Sequence, residues 1–351
     1  MNLAFVESPV QLLNVLEWAY TEGGGGRVLA DVTVVVLPPV DPMSRGQLRR
    51  MAELARDEGV TVRWQEARGD SGTPLKSLRA LTRLVRNADH IVIGDPFSRY
   101  VQLLLTLVRP RRLTVVDDGT ATMEFVAQLT RGERLTRWHR RGSGPRDLAL
   151  APVTATARRR FTPSAAREVE LFTAMPVIPP PGITLIPNTF SWTRSRFGPP
   201  LLTKGADLVG TSLVETGVVD RAPYLEAVAE LARTHGATRY FAHRRESTEK
   251  LHALEAATGL EIVRPDLPLE LIARRGPIGR TVLSFPSTVV HTLPLALVGT
   301  DVKVAVCDIA PEWLRETASP RAQGFLTGVT ETARDVQRLA PWRATAVVRE
   351  A

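Results

Sequence analysis

The chain has 351 residues, 44% of them hydrophobic and 23% charged, which excludes a disordered or fibrous protein and makes two domains of about 150–200 residues the natural division. Its one cysteine, Cys307, excludes an internal disulfide framework and a Cys-rich zinc site, and fits a reducing compartment. A net charge of +8 is carried largely by arginines, clustered at Arg109–Arg112, Arg137–Arg141 and Arg158–Arg160. With only 6% aromatic residues and no stacking pattern, these clusters read as an arginine-rich background and not as a nucleic-acid surface, while they leave peripheral association with an anionic membrane open. The opening Met1–Val6 lacks a basic leader, and no apolar run approaches the ~20 residues a membrane span needs. The expected location is cytoplasmic, with the inner membrane face as a peripheral option.

Residues 2–6 read as a first strand. Ser8 and Pro9 then supply an N-cap and a first helical position for an apolar-periodic helix over 10–20, which stops at the glycine run Gly23–Gly26. That run follows a helix and closes on no Gly-Lys-Ser/Thr, so it is no phosphate loop. Strand Val32–Leu37, a helix over 44–57, strand Val60–Trp64, a basic amphipathic helix over Leu75–Arg86, strand His90–Asp95 and helix Arg99–Val108 follow. Uniformly apolar strands alternating with helices point to a doubly wound parallel sheet.

The next strand, from Leu113, ends abruptly in Asp117-Asp118-Gly119. The carboxyl ends of such strands are where ligands and chemistry collect. Asp-Asp-Gly is also ordinary turn chemistry, so the corner alone does not decide between the two.

Residues 131–200 have weak periodicity and read as the end of the first domain and the connection to the second, with short strands at 168–173 and 183–186. Alternation resumes with strands at 206–210, 238–242, 261–263, 281–285 and 302–307. Helices are expected over 221–235, 246–258 and 269–274, from Ser287, and over 318–339, the last packing back on the first domain. The expectation is α/β of GT-B type: two Rossmann-like domains facing across a cleft, residues 1–190 forming the first and residues 191–351 the second.

Four strand ends of the second half carry candidate ligand groups. Gly210, followed by Thr211, would let a ligand approach the backbone, or is simply a strand-to-loop glycine. His243, followed by Arg244, suits a phosphate: histidine can donate a hydrogen bond or proton and arginine holds the charge, although a surface histidine before a basic helix has the same pattern. Glu270 could accept from both ribose hydroxyls or merely complement a helix dipole. Ser284, Ser287 and Thr288 lead into a helix N-terminus, which suits an anion and equally suits capping by Ser287. No second ligand at zinc spacing accompanies His243.

In order and spacing, Ser8–Asn14, Asp117-Asp118-Gly119, Leu171–Thr173 with Asn188–Phe190, His243, Glu270 and Ser287-Thr288 resemble the bacterial α-2,8-polysialyltransferase-like family, and more broadly the GT-B bacterial sialyltransferases. The resemblance implies an inverting, metal-independent transferase with no cofactor, moving a sialic or related nonulosonic acid from a CMP donor to a hydroxyl of a glycan or other acceptor. One of the two aspartates would be the general base, Asp117 preferred and Asp118 the alternate. His243 would contact the CMP phosphate and assist its departure, with Ser287 and Thr288 beside it. Glu270 would hold the ribose, Gly210 would lie by the cytosine, and Ser8 and Gln11 would face the sugar. The family's proline after the histidine is here Arg244, which can itself reach the phosphate. Two other functions share the expected fold: a UDP- or GDP-sugar transferase or epimerase, and a catalytically silent nucleotide- or glycan-binding protein.

Overall fold

A computed structural model describes residues 1–25, 29–66, 81–137 and 151–342. Gly26, the first part of the helix expected over Leu75–Arg86 and all but Arg137 of the Arg137–Arg141 cluster lie outside the described residues; 81–86 are helical. The chain divides into two compact units, Met1–Trp192 and Thr193–Ala351. Among the described residues no helix is long and apolar enough to cross a membrane.

The first unit is built on a seven-stranded sheet of order β3-β2-β1-β4-β5-β6-β7. The strands are β1 (Asn2–Val6), β2 (Val32–Val36), β3 (Thr61–Trp64), β4 (His90–Ile93), β5 (Arg112–Val116), β6 (Glu168–Thr173) and β7 (Thr184–Pro187). Every pairing is parallel. The helices are α1 (Pro9–Glu22), α2 (Pro42–Asp57), α3 (Arg99–Leu107), α4 (Thr120–Thr130), α5 (Ala151–Arg160) and, at the junction of the units, α6 (Ser191–Arg196). In the central strands β2, β4 and β5 every residue but Thr33 and Arg112 is buried, as apolar sequences require of a sheet covered on both faces. Leu3, Phe5, Ile91, Ile93, Leu113 and Val115 pack with α3 and with Phe125 of α4 in one core.

The second unit carries a six-stranded sheet of order β10-β9-β8-β11-β12-β13, again all parallel. Its strands are β8 (Leu202–Val209), β9 (Ala237–Phe241), β10 (Glu261–Val263), β11 (Ile278–Ser284), β12 (Lys303–Cys307) and β13 (Val336–Leu339). Its helices are α7 (Arg221–His235), α8 (Thr248–Thr258), α9 (Leu269–Arg275), α10 (Val289–Ala296) and α11 (Pro320–Thr332). Inside the sheet the wholly buried Asp207 receives Arg239 through two hydrogen bonds and the Gly279 N–H through a third, at the bulge between β8 and β11.

Three expectations are corrected. Residues 318–339 are a helix only to Thr332; a turn through Asp335, with φ of 57°, leads into the edge strand β13. The helix expected from Glu246 starts at Thr248, capped by the Ser247 hydroxyl. In the connecting segment Ala151–Arg160 is helical, with only Ala157 buried.

Candidate functional site

In a doubly wound sheet the strand order reverses where successive helices switch faces, and ligands lie at the carboxyl ends of the strands there. In the first unit the reversal falls between β1 and β4, whose carboxyl ends lead into Glu7-Ser8 and Gly94-Asp95, with Asp117-Asp118 beside them at the end of β5.

Asp117 and Asp118 differ sharply. Asp117 is 2% exposed. One of its oxygens accepts from the Gly119 N–H at 2.9 Å and the Thr122 hydroxyl at 2.8 Å, and the other from the Ala174 N–H at 3.1 Å. Burial pushes its pKa up and these donors, with Thr173, pull it down. Its backbone oxygen is held by Asn14 at 2.9 Å. Such a carboxylate fixes the corner. Asp118 is half-buried, receives the Gln11 side-chain amide at 3.0 Å and the Ser8 hydroxyl at 3.5 Å, and has its N–H anchored on Thr122. Of the two candidate bases, Asp117, the preferred one, is thus the more enclosed carboxylate and Asp118, the alternate, the more exposed.

The local sequence explains the corner. Gly119 has φ of 62° and ψ of −117°, a region that a side chain disfavours, so the chain can turn from β5 directly into α4. Ser8 caps α1 by accepting the Gln11 N–H, which fixes both side chains toward Asp118. Gln11 Oε1 also accepts the Glu7 N–H at 2.7 Å, and a Cβ at Gly94 would come within 2.5 Å of that same atom. Asn14 continues the bracing: its oxygen accepts from the Asn188 amide, and Asn188 caps the Phe190 N–H while its own N–H bonds Thr173. The Leu171–Thr173 and Asn188–Phe190 stretches thus act on the corner from behind.

Sequence reasoning missed Asp95, Glu7 and Arg137. Asp95 is 1% exposed and pairs with the Arg137 guanidinium. Burial works against the Arg137 charge, but Asp95, Asp118 and Glu7 together hold its pKa above the ordinary value. Its place within a run of surface-like arginines gave no signal of this role.

In the second unit the reversal lies between β8 and β11. Gly210 follows β8, and the protein around it leaves no room for a side chain: a Cβ there would lie 2.2 Å from Glu246 Oε2 and 2.6 Å from the Tyr240 hydroxyl. Thr211 is 4% exposed, with its N–H on the Tyr224 hydroxyl and its carbonyl on Lys250 at 3.0 Å. Glu246, the first residue of the expected helix, is 4% exposed and pairs with the 1% exposed Lys250 at 2.7 Å. It also accepts the Tyr240 hydroxyl at 2.6 Å and the His243 N–H at 2.7 Å. Burial would lower the Lys250 pKa, yet Tyr224, Glu246 and Glu215 hold it up, so the ammonium persists. This buried network sets the backbone of both the Gly210-Thr211 turn and the His243 turn.

His243 is half-buried. Its Nδ1 accepts the Arg245 N–H at 3.2 Å, so the neutral ring carries its proton on Nε2. Burial, then the charges of Arg244, Arg245 and Lys250, lower its pKa to about 4. Glu270, 6% exposed in the first turn of α9, accepts the Thr292 hydroxyl of α10 at 2.5 Å. Ser284 is buried, donates to the Phe285 carbonyl and lies 3.4 Å from the Ser287 hydroxyl. Capping by Ser287 is not realised: α10 begins at Val289 after Thr288, and Thr288 makes no side-chain cap bond. The half-buried hydroxyls of Ser287 and Thr288 therefore stand before a helix N-terminus without serving as its cap. His291 in that first turn is 7% exposed, and its Nε2 has no partner among the described residues. Among the described residues no three His, Cys, Asp or Glu side chains form a metal-ligand group.

No sequence-family model and no curated protein sequence matches this chain. Its fold is matched by the crystal structure of an α/β-galactoside α-2,3-sialyltransferase from Photobacterium phosphoreum, with a TM-score of 0.52 at 9% identity over 96% of this chain and 98% of that one. The fold is of the GT-B type. A 2,6-sialyltransferase from Photobacterium sp. JT-ISH-224, solved with CMP and lactose, aligns at 10% identity and a TM-score of 0.46 over 96% of this chain and 78% of that one. The heptosyltransferase WaaC of E. coli, solved with ADP-2-deoxy-2-fluoro heptose, aligns at 13% identity and a TM-score of 0.44 over 97% and 93%. At these identities the likeness is one of fold.

Proposed function

We propose that this chain is a glycosyltransferase that moves a sialic or related nonulosonic acid from its CMP donor to the hydroxyl of a glycan or other acceptor, with inversion and without a metal ion. The observation that carries the reading is the division of labour at the β5 corner: Asp117 locked by protein donors, Asp118 half-buried and steered by Ser8 and Gln11. Asp118 takes the proton of the acceptor hydroxyl as its oxygen bonds to the anomeric carbon. The bond from that carbon to the phosphate oxygen breaks on the opposite face, and CMP leaves with the electron pair. General-base assistance of this kind contributes ~10²–10⁴-fold.

The leaving group carries one phosphate, whose charge the second unit can meet with an Nε2–H of His243, the Arg244 guanidinium, the hydroxyls of Ser287 and Thr288 and the N-terminus of α10. A histidine with a pKa near 4 enters as a neutral hydrogen-bond donor, and the negative phosphate itself raises that pKa as it binds. The ribose and cytosine roles are narrower than the resemblance implies, because Glu270 already holds Thr292 and Gly210 already faces Glu246. The test is a thermal-shift screen of CMP, CDP, UDP and GDP followed by CMP release from CMP-activated nonulosonic acids over an acceptor panel. Stabilisation by CMP with acceptor-dependent release supports the assignment; stabilisation by UDP or GDP alone, or CMP binding without turnover, overturns it in favour of another GT-B activity or a binding protein.

A further inference from the structure

The first unit holds a second concentration of functional groups, far along the strands from Asp117-Asp118. Parallel strands put all their amino ends on one edge of the sheet. Arg158–Arg167 precede the first residue of β6, and Arg109 precedes β5, so these groups lie on the edge opposite the carboxyl corner. There the turn after α5 opens into a cavity of about 400 Å³ lined by Arg158, Arg159 and Arg167 with Thr162, Ser164 and Leu129.

The arginines are arranged by the backbone. Arg167 donates to the carbonyls of Arg159 at 2.8 Å and Thr162 at 3.2 Å, Arg158 donates to the Gly132 carbonyl at the end of α4, and Arg160 donates to the Leu105 carbonyl at 3.2 Å. Carbonyl oxygens orient a guanidinium but do not neutralise it. Among the described residues, none of Arg109, Arg158, Arg159, Arg160 and Arg167 pairs with a carboxylate, whereas Arg131 nearby in sequence is taken by Glu133 and Arg112 by Glu22 and Glu170. Arg167 Nε is buried with no hydrogen-bond partner. Burial and then mutual repulsion lower the pKa values: Arg160 feels Arg167, Arg109 and Arg159, and Arg167 feels Arg109. Crowding like charges around a cavity costs free energy in the empty state, and a bound anion removes that cost.

We propose that this cavity is a binding site for a multiply charged phosphate-type anion, held by Arg158, Arg159 and Arg167 with the hydroxyls of Thr162 and Ser164. Guanidinium forks match phosphate oxygens two at a time, which an ammonium does not. The site does not depend on the nature of the reaction at the other edge of the sheet. A soluble phosphate and a lipid phosphate share this chemistry, and the test separates them.

Full-length protein is titrated calorimetrically with inorganic pyrophosphate at low ionic strength, and pelleted with phosphatidylcholine vesicles with and without 30% phosphatidylglycerol. The variants are Arg159→Gln, an exposed position whose guanidinium bonds only Thr156 among the described residues, and the Arg158→Gln/Arg167→Gln pair. Pyrophosphate binding that weakens about tenfold or more in Arg159→Gln, with an unchanged melting temperature, supports the site and a soluble ligand. Pelleting with anionic vesicles alone, lost in the same variant, supports the site and a lipid-borne phosphate. The paired variant is used only if it melts as wild type does. No binding of either probe, or binding that Arg159→Gln leaves intact, overturns the proposal.

Discussion

Replacing Gly210 by alanine puts a methyl carbon 2.2 Å from Glu246 Oε2 and 2.6 Å from the Tyr240 hydroxyl. Both are ends of side chains, which on a surface would swing aside at little cost. Here they cannot: Glu246 is 4% and Tyr240 0% exposed, and the carboxylate is engaged by Lys250, by Tyr240 and by the His243 N–H. Overpacking a tight interior costs about 1–3 kcal/mol, and losing a hydrogen bond to a charged group a further ~1.5–3 kcal/mol. For a unit of roughly 160 residues, where 1 kcal/mol moves the midpoint by ~2–4 °C, Gly210→Ala should melt roughly 5–20 °C below wild type. Differential scanning calorimetry on the full chain reads this directly, with CMP affinity measured on the same sample at 15 °C. An unchanged midpoint would refute the packing reasoning; if CMP affinity alone fell, the glycine would be there for a ligand after all.

Three further outcomes follow from the same groups. Lys250→Met leaves the Glu246 carboxylate buried opposite no charge and should cost about 3–5 kcal/mol, read by urea unfolding, while adding Glu246→Gln should restore much of it; no recovery would mean that the two do not act as a pair. His90 is 3% exposed, and its pKa is lowered to about 4, chiefly by burial; it lies 3.9 Å from Glu170, yet it bonds through the Thr114 hydroxyl as a neutral ring and not as an ion pair. The unfolded state, with a pKa near 6.5, then binds more protons between pH 6.5 and 4, so this group's contribution is intact above pH 6.5 and declines by roughly 3 kcal/mol as pH falls to 4. His90→Phe, which keeps the edge-on packing against Trp18, should flatten that part of the stability profile, and an identical slope would place its origin elsewhere. Arg137→Ala removes the partner of the buried Asp95 and should destabilise the first unit by about 3–5 kcal/mol in thermal unfolding; a shift under 1 °C would show the pair to be dispensable.

The parallel strands were legible because burial on both sheet faces demands continuous apolar runs, and the first helix because Ser8-Pro9 is a start that its sequence announces, whereas the Ser247 cap went unread. Elements without that pattern were not. The edge strand β13 reads Val-Gln-Arg-Leu, with half of its residues exposed, and follows a helix with no glycine or proline between them; the break is made by Asp335 in a left-handed conformation. Helix α5 buries a single alanine and so has no apolar stripe to detect. The site was legible as far as the glycines, serines and paired aspartates that mark strand ends. Which aspartate is locked depends on donors from Thr122 and Ala174, and why Gly210 is glycine depends on Glu246 turning inward. Buried charges such as Asp95, Glu246 and Lys250, and the half-buried Arg137, look like surface charges in a sequence, because their partners come from elsewhere in the fold.

The most direct test of the reading is the steady-state rate of CMP release from a CMP-activated nonulosonic acid with acceptor present, measured for Asp118→Asn and Asp117→Asn side by side. Loss of the base should lower kcat by ~10²–10⁴-fold in Asp118→Asn, with CMP affinity and melting temperature held near wild type. Asp117→Asn should instead lower the melting temperature, since it disturbs a carboxylate bonded to Gly119, Thr122 and Ala174. An Asp118→Asn enzyme turning over at the wild-type rate, or a selective loss of kcat in a fully stable Asp117→Asn, would contradict the assignment of the proton-accepting carboxylate.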